Sequence, residues 1–139
     1  MGSRRLARTL AFQAIYSWDV SRQPLESFYD FSWISSEDLQ NLDEETSLFA
    51  RLLIGGTVEN LGEVDVLISE NLKNWEIGRI NKVDLAILRL STYSLKHLKD
   101  IPPRVTIDEA VDLSKKFASE DSYRFVNGVL DGIKRNLGL

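Results

Sequence analysis

Three arginines, Arg4, Arg5 and Arg8, stand within five positions at the head of a run that is apolar on one side only, "RRLARTLAFQAIYSW". The helix macrodipole disfavours cations in a first turn, so helix stability does not account for them. The unpaired N–H groups of a helix start and the arginine forks point to the same chemistry, an anion site. Phe12 and Tyr16 follow on the polar face that carries Arg5 and Thr9, with Arg8 at its edge. Cations beside an aromatic surface suit single-stranded RNA, which needs phosphate contacts for affinity and a platform for unstacked bases. The other reading of these residues is a basic helix tip with Phe12 and Tyr16 packed into a neighbouring bundle.

A second candidate is "DSYRFVNGVLDGIKR" at 121–135. Gly128 inside a helix costs roughly 1 kcal/mol relative to alanine, which raises the suspicion of a close backbone approach. Asn127 beside it offers an amide to a backbone or a base edge, and the plainer alternative is a small residue at a helix crossing. His97 follows Lys96 near a helix end, where cations are favoured, with no acid or nucleophile at a catalytic spacing. Glu59, Glu63 and Glu70 read as a solvated helix face. The chain has no cysteine and one histidine, which excludes disulfides, thiolate chemistry and histidine-rich metal sites. Phosphate-loop, dinucleotide, zinc-protease and serine-hydrolase motifs are missing as well. The expectation is a non-enzymatic binding protein with no cofactor or metal.

These residues need helices to position them. Ala7, Leu10, Ala11, Ala14, Ile15 and Trp18 form one stripe at helical spacing, and Pro24 closes that element. Residues 25–42 read as a short helix or loop anchored by Leu25, Phe28, Phe31, Trp33 and Ile34. A helical stretch over 43–72 is interrupted at Gly55-Gly56, with Thr57 placed to cap a restart. The pattern lapses over 75–80. Asn81 then caps a helix over 82–98 whose apolar residues cover several sides, the mark of a central helix. "TIDE" at 106–109 reads as a capping box, and "SEDS" at 119–122 as the cap of the last helix. The sum is an all-α protein of about seven helices, with a division near residues 75–76.

The 139 residues suit one domain, and no apolar run is long enough to span a bilayer. The net charge of −4 is uneven: residues 1–22 carry +3, residues 23–72 carry −10 and residues 73–139 carry +3. Contact with nucleic acid must therefore be local. The acidic middle is either a solvated face or a field for a basic partner.

Four stretches together resemble the NusB family of transcription antitermination factors: "RRLARTLAFQAIYSWD", "FARLLIGGTVENLGEVDVLI", "VDLAILRLSTYSL" and "IPPRVTIDEAVDLSKKFASEDSYRFVNGVLDGI". The resemblance implies two packed three-helix bundles. It implies binding of the boxA element of ribosomal RNA leaders together with NusE, a small-subunit ribosomal protein. It also implies action on RNA polymerase with other Nus factors, in the cytoplasm. By position it places Arg4, Arg5, Arg8 and Tyr16 at the RNA, and with them Ser122, Tyr123, Arg124 and Phe125; Asp84 falls on an acidic position that meets NusE. Leu6 stands where some members have another arginine, which implies fewer phosphate contacts. The same fold forms the RNA-binding part of a ribosomal RNA cytosine methyltransferase, and a chain ending at Leu139 leaves no room for its catalytic domain. A helical interaction module without an RNA role is the third reading.

Overall fold

The computed structural model describes residues 3–73, 76–119 and 121–139. Trp75, at the expected division, and Glu120 of the "SEDSYRF" segment lie outside the described residues. The helices are α1 (Ser3–Ser21), α2 (Ser36–Gln40), α3 (Glu44–Glu59), α4 (Leu61–Ser69), α5 (Lys82–His97), α6 (Pro103–Phe117) and α7 (Ser122–Asn136). Among the described residues there is no strand. Helices α1, α3 and α5 pack as one group and α5, α6 and α7 as another, so α5 is common to both, and α4 lies against it.

The stripe of α1 behaves as its periodicity predicts. Ala7, Leu10, Ala11, Ala14 and Ile15 are buried against α3 and α5, with Trp18 half-buried at the end. Arg22, at φ +55°, stops the helix in the left-handed conformation usual after a helix C-terminus. At the start of α5, the Asp84 N–H donates to Asn81 Oδ1 at 2.8 Å while Asn81 Nδ2 donates to Asp84 Oδ2 at 3.0 Å. This reciprocal pair satisfies an otherwise orphaned donor of the first turn. From Asp84 to Leu95 every residue is buried, as a helix apolar on several sides requires.

That central helix carries a buried cation. Arg89 donates from Nε and Nη2 to the two carboxylate oxygens of Asp65 on α4, both at 2.9 Å. Its Nη1 lies 3.4 Å from Asp19 Oδ2 on α1, a coulombic contact without hydrogen-bond geometry. Asp19 also meets Lys82 at 3.1 Å and Arg22 at 3.0 Å. One guanidinium thus ties α1 and α4 to the central helix.

Three expectations about helix boundaries fail, each for its own local reason. Helix α3 runs straight through Gly55-Gly56, and Thr57 is buried within it rather than capping a restart. A Cβ at Gly55 would sit 2.8 Å from the Tyr29 hydroxyl, and one at Gly56 only 2.1 Å from the Tyr93 ring. The glycines let two tyrosines lie on the helix backbone. The break comes instead at Asn60, whose Nδ2 donates to the Gly56 carbonyl at 2.8 Å. Helix α6 begins at Pro103, whose missing N–H costs nothing at that position, so Thr106 is an interior residue and Glu109 is not spent on a cap. Helix α7 follows Asp121 with no side-chain cap bond; the hydroxyls of Ser119 and Ser122 pair with each other at 3.0 Å.

The close approach suspected at Gly128 is absent, because a Cβ there meets nothing within 4 Å. It occurs one turn on, where a Cβ at Gly132 would lie 2.1 Å from Asn71 Oδ1. Gly56→Ala is therefore expected to destabilise by about 1–3 kcal/mol through overpacking. Gly128→Ala should stabilise by up to about 1 kcal/mol, since only helix propensity changes. Urea unfolding of the two variants checks the opposite signs.

Candidate nucleic-acid interface

The first turns of α1 present their arginines to two neighbours. Arg4 lays its guanidinium over the Phe49 ring of α3 at 4.1 Å, and Arg8 reaches the same ring at 5.7 Å. Arg5 turns to α6, donating from Nε and Nη2 to Glu109 at 3.2 and 2.8 Å and from Nη2 to Asp112 at 3.0 Å. Arg8 lies 3.7 Å from the same Glu109. The hydrogen bond to Glu109 raises the Arg5 pKa, and burial lowers that of Arg8. Arg4 and Arg5 are exposed and Arg8 is half-buried.

Phe12 is not available as a base platform. It is 4% exposed and packs on Phe117 at the end of α6, with ring centroids 5.2 Å apart. The face of α1 that looked polar from spacing is covered there by α6, so its aromatic goes into the core. Tyr16, one turn further, is 37% exposed. It borders a hollow with Asn81, Lys82, Val83 and the turn Phe117–Ser119. Arg4 and Tyr16 are separated by about 18 Å of helix at 1.5 Å per residue.

The same turn begins the second candidate segment. Asn81 and Ser119 also line a neighbouring hollow with Arg79, Asp84, Asp121, Ser122 and Phe125. Tyr16 is thus brought beside Ser119, at the start of the 119–125 segment, although the two lie about a hundred residues apart in sequence. Within it, Tyr123 receives Lys115 over its ring at 4.8 Å and the Arg124 Nε–H on its hydroxyl at 3.2 Å. Arg124 and Asn127 are exposed, and Tyr123 and Phe125 half-buried. Ser122 is 7% exposed, with its hydroxyl paired to that of Ser119, which removes it from the outer surface.

Asp84 is likewise not a surface group. It is 5% exposed, because its carboxylate turns back on Asn81 and is roofed by the start of α7. Burial raises its pKa, against Ser122 and Asn81, which favour the ionised form. A carboxyl with a raised folded pKa stabilises most below its unfolded value near 4, and that stability is lost as pH rises through the folded pKa. Asp84→Asn removes this titration. Its melting temperature relative to the parent should therefore rise from pH 4 to pH 7, and a constant difference across that range would count against the assignment.

Sequence spacing missed the acids that meet the arginines. Glu109 and Asp112 lie one turn apart on α6 and face α1; once Thr106 is no longer a cap, the only signal for them is that i, i+3 spacing. His97, which spacing left without a partner, pairs with Glu63 on α4. Among the described residues no cluster of three or more metal-ligating side chains occurs, and no helix is long and apolar enough to cross a membrane.

A family model described as the NusB family matches residues 5–135. A transcription antitermination protein NusB from Treponema denticola is 50% identical over 131 residues, covering 94% of this chain and 95% of that protein. The NusB of Borreliella burgdorferi is 41% identical over 131 residues, covering 94% and 92%. A structure of T. maritima NusB superposes with a TM-score of 0.84 at 37% identity, covering 97% of this chain and 92% of that one. NusB crystallised with NusE and double-stranded RNA gives 0.82 at 29% identity, covering 98% of both chains. With nearly the whole length matched in sequence and in fold, the chain belongs to the NusB family of transcription antitermination proteins.

Proposed function

We propose that the protein binds boxA RNA jointly with NusE, without catalysing a reaction, and in a cytoplasmic complex with other Nus factors lets RNA polymerase read through terminators. One observation carries this reading. A single helix holds Arg4, Arg5 and Arg8 at one end and, about 18 Å along, Tyr16 beside Ser119 at the start of the 119–125 segment, so one element carries both the cations and an exposed aromatic. Arg4, Arg5 and Arg8 take phosphates; Tyr16, Tyr123 and Phe125 offer ring surface; Arg124 and Asn127 flank it. Phe12 and Ser122 act from beneath, holding α6 and the α7 start in place. Asp84 serves the partner surface in the same indirect way, and the acidic segment 23–72 supplies the field that draws a basic protein such as NusE. Both halves of the chain, to about residue 75 and beyond it, contribute to one RNA-binding unit. The NusB–NusE structure with RNA among its structural neighbours supports the pairing of these two ligands.

A gel shift with boxA and scrambled RNA of equal length, with and without NusE, tests the proposal. Preference for boxA and tighter binding with NusE are expected. Equal binding of the scrambled RNA, or no gain from NusE, would overturn it.

A further inference from the structure

The arginine forks at the head of α1 already hold an anion, and it belongs to the protein. Arg5 has five N–H donors, and three of them are engaged by Glu109 and Asp112, in the side-by-side geometry a guanidinium offers a phosphate. Glu109 is 16% exposed at its side chain and is shared between Arg5 and Arg8; Asp112 is 54% exposed and, among the described residues, pairs with Arg5 alone. The two acids therefore differ in what a phosphate would meet. Glu109 is inside, braced by two cations. Asp112 stands at the solvent edge of Arg5, where an incoming phosphate would lie.

We propose that the α6 carboxylates form a built-in phosphate surrogate. Glu109 is a positioning residue that keeps the forks of Arg5 and Arg8 aligned, and Asp112 is a competitor that RNA must displace or tolerate. This deepens the RNA-binding reading above and rests on it. The free protein then holds RNA less tightly than its arginines alone would allow. A partner that brings a cation to Asp112 would raise RNA affinity without touching RNA.

The test uses the full chain and one single-stranded boxA RNA, with a scrambled RNA of equal length. Asp112→Asn should bind both RNAs roughly 3- to 5-fold more tightly at low salt, the scale of one like-charge contact removed at an exposed site. Its salt dependence should steepen by about 0.7 in logarithmic slope, one more effective phosphate contact on a single strand. Glu37→Gln on α2 makes the same change in net charge at an exposed residue outside the arginines' ion pairs and should leave affinity unchanged. Glu109→Gln should weaken binding despite removing a negative charge, because the forks lose their brace. The gain from Asp112→Asn must vanish in an Arg5→Ala background, since it acts through that fork.

Equal affinities of Asp112→Asn and Glu37→Gln would overturn the surrogate. So would a gain that survives Arg5→Ala. If those results come with a clear loss on Arg5→Ala alone, the RNA site stands and only the surrogate falls. If Arg5→Ala has no effect on RNA binding, the RNA site itself is misplaced and the surrogate falls with it.

Discussion

Arg89→Ala is expected to lower the unfolding free energy by about 3–5 kcal/mol, the usual cost of removing one partner from a buried ion pair. The guanidinium is 8% exposed at its side chain and answers carboxylates on two other helices. Its removal leaves Asp19, only 4% exposed at its side chain, with Lys82 and Arg22, which approach from the solvent side. Burial acts to raise the Asp19 pKa, and hydrogen bonds and charge from Lys82, Arg22 and Arg89 outweigh it, so the pKa is lowered. The sign of the pH dependence follows. A depressed carboxylate stabilises fully above its unfolded pKa near 4, and that contribution is lost as pH falls through the folded value. The penalty of Arg89→Ala should therefore be largest at neutral pH and shrink below about pH 4. Urea melts at pH 7 and pH 3 check this, and a loss under about 1 kcal/mol at pH 7 would mean that Lys82, Arg22 and solvent satisfy the carboxylates without Arg89.

Charge reversal at the head of α1 should produce the largest functional effect. Arg4→Glu with Arg5→Glu is expected to weaken boxA RNA binding by roughly 100-fold at low salt, with a salt slope flatter by about 1.4, because two phosphates keep their counterions. Both side chains are exposed and neither belongs to the core, so helicity and NusE binding should survive. Arg4→Lys with Arg5→Lys keeps the charge and gives up the planar fork. It should retain most of the salt slope while binding a few-fold more weakly. Isothermal titration at several salt concentrations separates the two variants. Normal RNA binding by the double glutamate variant would show that RNA lies elsewhere on the molecule.

Much of the architecture is legible from local pattern because it depends on local pattern. The stripe from Ala7 to Trp18 gives the buried side of α1, the apolar spread over 82–98 gives the central helix, and Asn81 gives its start. What spacing cannot see is which surface a distant segment will cover. Phe12 reads as outward because its own helix turns it away from the first stripe, yet Phe117, 105 residues later, closes over it. Gly55-Gly56 reads as a break because glycine usually weakens a helix; two tyrosines from distant segments supply the reason for small residues there. Asp84 sits at the expected helix start, and only the arrival of α7 makes it internal. The candidate site divides in the same way. The arginines and Tyr16 are visible as types in sequence, whereas the carboxylates that meet Arg5 come from 104 and 107 residues away.

Sharing α5 between the two groups of helices has a consequence for how the molecule opens. With twelve consecutive residues of that helix buried and all its neighbours leaning on it, its amides have no local route to solvent. They should exchange hydrogen only when the whole molecule unfolds, which would make the two halves a single cooperative unit.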